Sequence, residues 1–396
     1  MEEVRALFKS ELGYVVLLFA LFVIPRVLQR FRLPTAITSF VLGAAGSMGF
    51  GLFRGDNTLH LLATFGIVAL FLFAGLEVEV KDLQRSARVI GQHLLVRIAM
   101  LAVVAFAALH LLGLGFREAA LVALALLIPS TGFILDSLPT FGLTPEESYW
   151  VKSKAIATEL LALGVLFVVL QSTSVPRLVL ASLAMIALIA LLPPMFRLFA
   201  IGVVPWAPKS EFAFLLMLAI VVAYATRQLG AYYLVGAFLV GVAARRFRES
   251  LPAVASERML HAVEVFASFF APFYFFVAGS ELHPEEFTGR AILLGVGLTA
   301  LILPLRLGTV ALHRWLALGE RLVHSLRVAV PMLPTLIFTL VIASILRDQF
   351  ALPESLFGAL IVYAVLNTTV PGLLLRTPLP EYDTPELVEP ETVPTE

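Results

Sequence analysis

Long apolar runs recur along this chain and restrict it to folds that a lipid bilayer permits. Of its 396 residues, 60% are hydrophobic and 14% are charged, whereas a soluble domain has about 25% charged residues. Within a bilayer only helices and closed barrels pair all of their backbone polar groups, and most of the runs reach the roughly 20 residues that a spanning helix needs. The sequence therefore predicts an all-α polytopic membrane protein with about thirteen transmembrane helices. We number the predicted segments 1 to 13, at residues 13–30, 34–51, 60–79, 90–114, 117–139, 147–171, 176–201, 210–228, 231–247, 260–281, 288–316, 322–347 and 354–376.

Composition excludes several other classes. The formal net charge is +0, so no basic surface indicates nucleic-acid binding, and the absence of cysteine excludes disulfides and thiol-based metal sites. Residues 1–12 are largely polar and precede a run long enough to stay in the membrane, so we expect no cleaved signal peptide. We expect residues 379–396, which are rich in proline and glutamate, to form a disordered acidic tail. Nothing in the sequence indicates a cofactor or a resident metal.

Lysine and arginine are distributed unevenly between the two sides of the predicted segments. One side holds 18 of the 28 basic residues and the other holds 8, while Arg97 and Arg306 lie deeper inside segments. The positive-inside rule then places the N-terminus outside and the C-terminus in the cytoplasm. We expect the chain to be integral to the cell (inner) membrane, in contact with its lipids. Arg97 lies near the start of segment 4, and we expect its side chain to reach the surface.

The two halves of the chain resemble each other at a displacement of about 200 residues. Three stretches match in the same order, 40–45 with 238–243, 73–78 with 277–282 and 128–130 with 333–335. We therefore predict two inverted six-helix repeats, at about 12–171 and 210–376, joined by a linker helix at about 176–201. Both repeats would belong to one transmembrane domain, residues 1–378. Inverted repeats of this kind occur in many secondary transporters, whose binding sites lie near the midplane of the membrane.

Prolines interrupt segments 5 and 12 at matching places in the two repeats. Proline removes a backbone donor and clashes with the preceding turn, and the freed carbonyls must then meet protein, water or an ion. We predict that these segments form crossed discontinuous helices, with the binding site between them and the hydroxyls of Ser130 and Thr131 among its ligands. The residues that mark the two interruptions are Pro129, Gly132, Pro331, Pro334 and Thr335.

A carboxylate inside apolar sequence identifies the centre of this site. Glu159 lies in the middle of segment 6, and an ionised glutamate at that depth costs about 2.5–3.5 kcal/mol, so such residues mark ion or proton pathways. We predict that Glu159 binds a cation or a proton and that Arg306, the most deeply placed base, is its charge partner. Three secondary candidates are Asp136, an interfacial cap or vestibule residue, Glu77, a solvated helix end, and Asn367, which we expect to bond helices together.

These positions resemble the cation:proton antiporter-2 family, the transmembrane domain of sodium/hydrogen exchangers, over roughly residues 12–376. Residues 70–77 resemble the end of that family's third helix, a run of Leu and Phe closing in Gly-Leu-Glu. Residues 129–131 resemble the Ser/Thr-rich break in its fifth helix, and residues 270–279 its Phe-rich stretch. Arg306 falls where the family has a membrane-embedded Lys or Arg. The resemblance implies the sodium/proton antiporter fold and a homodimer.

The ion site departs from the family in one respect. The sixth helix of the family usually carries Asn-Asp, Asp-Asp or Gln-Asp, whereas this chain has Thr158-Glu159. The resemblance implies that these two residues bind the transported ion and that Na⁺ or K⁺ is exchanged for H⁺. We expect Glu159 to titrate within the working pH range. Because arginine stays protonated and Thr158 is neutral, one proton would exchange for one monovalent cation, and transport would be electroneutral.

Three other functions stay open. A non-transporting sensor or scaffold on an antiporter fold is compatible with the unusual Thr158-Glu159 pair. A sodium-coupled organic-anion carrier would need two sodium sites rich in Asn and Gln, in which the middle of this chain is poor. A membrane enzyme would need a nucleophile with a base or a metal cluster, and the sequence contains neither His-Glu-x-x-His nor Gly-x-Ser-x-Gly.

Overall fold

The computed structural model describes residues 11–207, 209–230, 233–247 and 257–375, and every regular element in these ranges is helical. This confirms the predicted all-α class, while the predicted tail at 379–396 lies outside the described residues. The α-helices, numbered in chain order, are α1 Glu11–Leu28, α2 Thr35–Phe50, α3 Asn57–Leu76, α4 Val80–Arg85, α5 Ala87–Leu111, α6 Phe116–Leu127, α7 Thr131–Ser137, α8 Pro145–Gln171, α9 Val175–Gly202, α10 Glu211–Gln228, α11 Tyr233–Phe247, α12 Glu257–Ser280, α13 Gly289–Leu318, α14 Leu322–Ala329, α15 Leu336–Phe350 and α16 Glu354–Leu374.

The helices account for all of the predicted segments but not for the predicted number of spans. Each segment contains an α-helix, and segments 5 and 12 contain two each, α6 with α7 and α14 with α15. In the described ranges, 10 helices are long and apolar enough to cross a membrane, or 11 if the bent pair α14–α15 is one span. With 16 and 15 residues, α2 and α11 are shorter. The protein is integral to the membrane, and the count of thirteen spans stays a prediction.

Side-chain caps define where two of the central helices begin. Asp56 accepts a hydrogen bond from the Leu59 N–H at 3.0 Å at the start of α3. Thr144 and Glu147 cap α8 reciprocally, with N···O distances of 3.2 Å and 2.9 Å. These side chains pair N–H groups that the first turn of a helix leaves free. The start of α8, the helix that carries Glu159, is therefore fixed by its own sequence.

Burial separates the helices of the outer surface from those of the centre. In the most apolar stretch of α9, 17% of the residues are buried, and the buried share is 22% in the corresponding stretches of α1 and α13. By contrast, 89% of the residues are buried in the most apolar stretch of the segment that contains α6 and α7, and 72% in that of α3. Apolar side chains without protein neighbours are stable in contact with lipid tails. The outer surface of the chain thus includes α1, α9 and α13, while α3, α6 and α7 lie at the centre.

Glycines allow two pairs of central helices to approach closely, α2 with α12 and α3 with α11. Gly43 on α2 is paired with Gly279 on α12, and Gly75 on α3 is paired with Gly241 on α11. Each glycine lies so close to a backbone carbonyl oxygen of the facing helix that a Cβ atom would collide with it. The carbonyl groups belong to Phe276 for Gly43, Phe40 for Gly279, Phe238 for Gly75 and Leu72 for Gly241. Small residues at close contacts are typical of membrane helices. The matched stretches of the sequence align Gly43 with Gly241 and Gly75 with Gly279, so the contacts agree with the inverted repeat, which itself stays a prediction.

Candidate functional site

The two interrupted helices cross each other at their breaks, as predicted. The first break lies between the end of α6 at Leu127 and the start of α7 at Thr131, and the second gives a bend of 46° before α15. The Ser130 N–H donates to the Pro334 carbonyl oxygen at 2.8 Å. A second link runs from the Thr339 hydroxyl on α15 to the Ala125 carbonyl oxygen on α6, at 2.7 Å. Each interrupted helix therefore donates a hydrogen bond to a backbone carbonyl oxygen of the other.

Ser130 holds this crossing together through its side chain. Its hydroxyl oxygen accepts hydrogen bonds from the N–H groups of Ile337 at 3.0 Å and Phe338 at 3.3 Å. These two donors lie in the first turn of α15, where a helix has no partners of its own for its N–H groups. Ser130 thus caps the crossing helix from another part of the chain, and both lone pairs of its hydroxyl oxygen are engaged.

Glu159 lies at the centre of the protein without a fixed partner. The side chain is 1% exposed, and the hydroxyl and backbone N–H of Thr131 face its carboxylate. Neither carboxylate oxygen, nor the Thr131 hydroxyl, makes a hydrogen bond to any residue that the structure describes. Thr131 is the first residue of α7, so the carboxylate meets the positive end of a helix dipole. Buried carboxylate and hydroxyl oxygens of this kind suit a proton or a small hard cation.

Thr158 lies beside Glu159 on α8 and is oriented by two neighbours. Its hydroxyl donates to the Lys154 carbonyl oxygen at 2.7 Å, so the contact with His93 Nε2 at 3.1 Å must be one in which the imidazole donates. Thr158 is fully buried. One lone pair of the Thr158 oxygen therefore stays available for a further ligand.

Arg306 does not pair with Glu159, contrary to the predicted charge partnership. Its terminal nitrogens donate to the carbonyl oxygens of Leu333 and Met332, both at 2.7 Å, and to the Tyr363 hydroxyl at 3.2 Å. The second interruption frees these carbonyls, and the planar guanidinium fits two acceptors side by side. Within the described ranges, no ion pair joins Arg306 to the carboxylate.

The second interruption is closed by further side chains. Asn367 donates to the Leu333 carbonyl oxygen at 2.6 Å and to the Thr335 hydroxyl at 3.2 Å. Tyr363 donates to the Leu126 carbonyl oxygen at 2.5 Å, which ties α16 to the end of α6. Asn367 thus bonds helices together, as expected. The two breaks differ in chemistry, because the first meets an unpartnered carboxylate and the second is closed by neutral donors and a guanidinium.

Several buried basic residues near the site were missed or misplaced by sequence reasoning. Arg97 is 1% exposed rather than at the surface, which contradicts the expectation for its side chain. Lys154 is 0% exposed and its Nζ lies 3.3 Å from Nδ1 of His313. The ring of His93 lies 5.9 Å from that of His313. No local signal distinguishes these residues from interfacial ones, because each lies within a few turns of a helix end.

The remaining candidates lie away from Glu159. Glu77 forms an ion pair with Lys152 and its side chain is 14% exposed, so it is not the solvated helix end that was expected. Asp136 lines a cavity of about 690 Å³, and its carboxylate accepts a hydrogen bond from Ser268 at 3.5 Å. Of the two interpretations of Asp136, the structure supports the vestibule. Gly132 lies inside α7 rather than within the break.

The chain is similar in sequence and in fold to known proteins. The family model described as "Sodium/hydrogen exchanger, transmembrane" matches residues 16–380. A curated relative named "Probable Na(+)/H(+) antiporter 3", from Methanocaldococcus jannaschii, is 24% identical over 375 residues, which covers 92% of this chain and 95% of that protein.

Two solved structures of the sodium proton antiporter MjNhaP1 from the same organism are similar in fold. One, at pH 8, has a TM-score of 0.67 at 14% identity and covers 92% of this chain and 95% of that one. The other, from an electron microscopy map, has a TM-score of 0.65 at 15% identity, covering 91% and 94%.

Proposed function

The chain belongs to the sodium/hydrogen exchanger family, whose model spans residues 16–380, and we propose from this that it exchanges a monovalent cation for a proton. It is a transporter and not an enzyme. The observation that carries the proposal is the Glu159 carboxylate, which is 1% exposed and has no hydrogen-bond partner in the described part of the chain. A buried acid without fixed partners is poised to exchange one ligand for another.

In the proposed mechanism, cation and proton compete for this carboxylate. When Glu159 is ionised, its oxygens and the hydroxyl oxygens of Thr131 and Thr158 hold the cation. When Glu159 is protonated, the charge that attracts the cation is lost and the cation leaves. Ser130, predicted as a ligand, has its hydroxyl oxygen occupied by two backbone donors, which supports a role in positioning Thr131. Alternating access would move one helix bundle against the other.

The stoichiometry follows from which groups change their charge. Arg306 stays protonated throughout, and Thr158 is neutral, so Glu159 alone carries the exchanged proton. One proton then exchanges for one monovalent cation, and transport is electroneutral. Sodium is the first cation to test, because the curated relative is named a sodium/proton antiporter; potassium is the second.

The arrangement of the whole protein is part of the proposal. Two inverted repeats, about 12–171 and 210–376, are joined by α9 in one transmembrane domain, residues 1–378, and the reciprocal glycine contacts support this relation. The N-terminus lies outside and the C-terminus in the cytoplasm of the cell membrane. The family resemblance supports a homodimer.

Reconstituted exchange tests the function directly. Proteoliposomes that contain a pH-sensitive dye receive an imposed proton gradient and then sodium, potassium or lithium salts. We expect cation-dependent dissipation with the wild type, none with Glu159→Gln, and a reduced rate with Glu159→Asp, which keeps the acid but shortens it. Glu354→Gln, at an exposed helix start, is the matched control and should behave as the wild type.

The contrary outcome is equally informative. If folded, inserted wild-type protein responds to no cation, the exchange proposal is wrong and the non-transporting sensor takes its place. If Glu159→Gln still exchanges, transport is retained but its carboxylate must lie elsewhere.

A further inference from the structure

The cavity of about 690 Å³ reaches from one face of the protein towards the crossed helices. Helix-end residues such as Arg26 and Arg32 line it on the side that is predicted to be cytoplasmic, and Phe133 and Ile337 line its inner part. The N–H of Ile337 donates to the Ser130 hydroxyl at 3.0 Å. The inner end of the cavity is therefore lined by a residue that contacts Ser130, which directly precedes Thr131 at the first interruption.

Two buried hydroxyls line this cavity without hydrogen-bond partners. Ser39 on α2 is 0% exposed and Thr368 on α16 is 1% exposed. Neither hydroxyl oxygen has a partner among residues 11–207, 209–230, 233–247 and 257–375. A buried polar group without a partner in a native protein calls for an explanation, such as water or an ion.

The residues next to Ser39 and Thr368 show that a hydroxyl on these helices can find a hydrogen-bond partner. Thr38, next to Ser39, donates to the Pro34 carbonyl oxygen at 3.3 Å. Thr369, next to Thr368, donates to the Val365 carbonyl oxygen at 2.8 Å. Bonding to the preceding turn is the usual arrangement for hydroxyls in membrane helices. Ser39 and Thr368 also line the cavity, but their hydroxyl oxygens are buried and make no such bond to any described residue.

The charges around the cavity permit a cation to enter. Asp136 on α7 and Glu264 on α12 line it, and so do Arg26 and Arg32. The fifth titratable group is His261, whose Nδ1 lies 3.3 Å from the Glu264 carboxylate. The two carboxylates offset the two guanidiniums, so the cavity does not repel cations as a whole. Hydroxyl oxygens on its wall can replace waters from the hydration shell of an ion.

We propose that Ser39, Thr368 and Asp136 form a second cation-binding subsite, where a partly hydrated monovalent cation pauses between the solvent and Glu159. The subsite rests on the proposed exchange function and extends it. Two neutral oxygens and one carboxylate give weak binding, which a transport pathway needs so that the ion can leave again.

Sided kinetics test the subsite. In vesicles of defined orientation, the KM for sodium is measured separately at the face where the cavity opens and at the opposite face. Each lost oxygen contact should raise KM at the cavity face about two- to tenfold, given the usual strength of one hydrogen bond. We expect this for Ser39→Ala/Thr368→Val, which removes the two hydroxyl oxygens, and for Asp136→Asn, which keeps one oxygen but removes the negative charge. KM at the opposite face should be unchanged. Thr38→Val/Thr369→Val is the matched control and should leave both values unchanged.

Binding without transport separates this inference from the exchange function. Purified Glu159→Gln in detergent is titrated with radioactive sodium at equilibrium. We expect weak residual binding that disappears when Ser39→Ala/Thr368→Val is added and persists with the control pair. This result would support the subsite even if the wild type exchanged nothing. Absence of residual binding, together with unchanged KM at the cavity face, would show that the hydroxyls hold water only and would overturn the proposal.

Loss of folding is controlled in the same variants. Removing a buried hydroxyl that has no partner removes a desolvation cost rather than a hydrogen bond. Ser39→Ala/Thr368→Val should therefore unfold at the same temperature as the wild type or above it. A lower unfolding temperature would show that the hydroxyls have structural partners and would contradict the subsite.

Discussion

Glu159 and Arg306 are both buried at the level of the crossed helices, but their surroundings differ in kind. Both terminal nitrogens of Arg306 have fixed acceptors, at 2.7 Å from the carbonyl oxygens of Met332 and Leu333. No described residue donates a hydrogen bond to the Glu159 oxygens. A charge held by fixed protein groups supports the fold, whereas a carboxylate without them can exchange ligands. Arg306 variants should therefore lose stability, while Glu159 variants lose exchange.

Replacing Arg306 by methionine should destabilise the protein. The change leaves the Met332 carbonyl without its Arg306 donor, and each buried group that loses its partner costs about 1–3 kcal/mol. Arg306→Lys should lie between the wild type and Arg306→Met, because one ammonium does not match the geometry of two parallel hydrogen bonds. Thermal unfolding in detergent, followed by the fluorescence of the 3 tryptophans, measures the difference.

Arg290 provides the control on the same helix. It is exposed at the start of α13, so Arg290→Met should unfold close to the wild-type temperature. Equal stability of the two methionine variants would contradict the assigned role of Arg306.

At this scale the sequence identifies Glu159 and Arg306 as buried, but it misplaces Arg97 at the surface and does not show which residues meet. Glu159 stands out because it is an acid in the middle of an apolar run. Its lack of an arginine partner, and the contact of His93 with Thr158, depend on how separate helices are rotated about their axes. An apolar helix in lipid has little amphipathic pattern to define that rotation. The depth of Glu159 and Arg306 therefore gave no reliable indication that they would pair.

The two interrupted elements stabilise each other, and Ser130 is the main link. Ser130→Ala leaves the N–H groups of Ile337 and Phe338 without their side-chain acceptor, at a cost of about 1–3 kcal/mol. We expect a lower unfolding temperature in detergent with or without sodium, because the hydroxyl caps a helix whether or not an ion is bound.

Ser344→Ala is the matched control for this change. The Ser344 hydroxyl lies on α15 and donates to its own helix, to the Leu340 carbonyl oxygen at 3.0 Å, so its loss should cost little. If Ser130→Ala were as stable as Ser344→Ala but bound sodium less tightly, Ser130 would be a cation ligand, as the sequence first indicated.

Local chemistry predicts where these elements break, but not how they are connected. Pro129, Pro331 and Pro334 cannot continue a regular helix, and helices end at both places. The hydrogen bond from Ser130 to Pro334 joins residues about 200 positions apart, and only the internal similarity of the halves indicated that the two breaks belong together. The same internal similarity aligns Gly43 with Gly241 and Gly75 with Gly279, the glycines of the two close helix contacts.

For the whole molecule, the thirteen apolar segments predict the helices but not the number of spans. Among the helices of the uninterrupted segments, the two shortest are α2 with 16 residues and α11 with 15. They align with each other in the predicted repeat, and both pack closely through glycines against longer helices. Protein neighbours, rather than lipid, surround them in part. A length criterion derived from lipid-exposed helices therefore does not decide whether α2 and α11 cross the membrane.

The charge balance of the whole transport cycle gives the last prediction. Moving one elementary charge across 100 mV changes the free energy by about 2.3 kcal/mol, so any net charge per cycle shifts the balance point between the proton and sodium gradients. With Glu159 as the sole carrier, no shift is expected. Sodium exchange in proteoliposomes, with the potential set by potassium and valinomycin, should reach the same final proton gradient at zero and at about −100 mV.

A shifted end point would require a second group that gains or loses a proton in each cycle. Lys154 would then be the first residue to replace, because it is fully buried. Outside its own helix, the one described residue to which it is hydrogen-bonded is His313, whose Nδ1 lies 3.3 Å from the Lys154 Nζ. Lys154→Met would restore a potential-independent end point if it carried that proton, and would leave the shift in place if it did not.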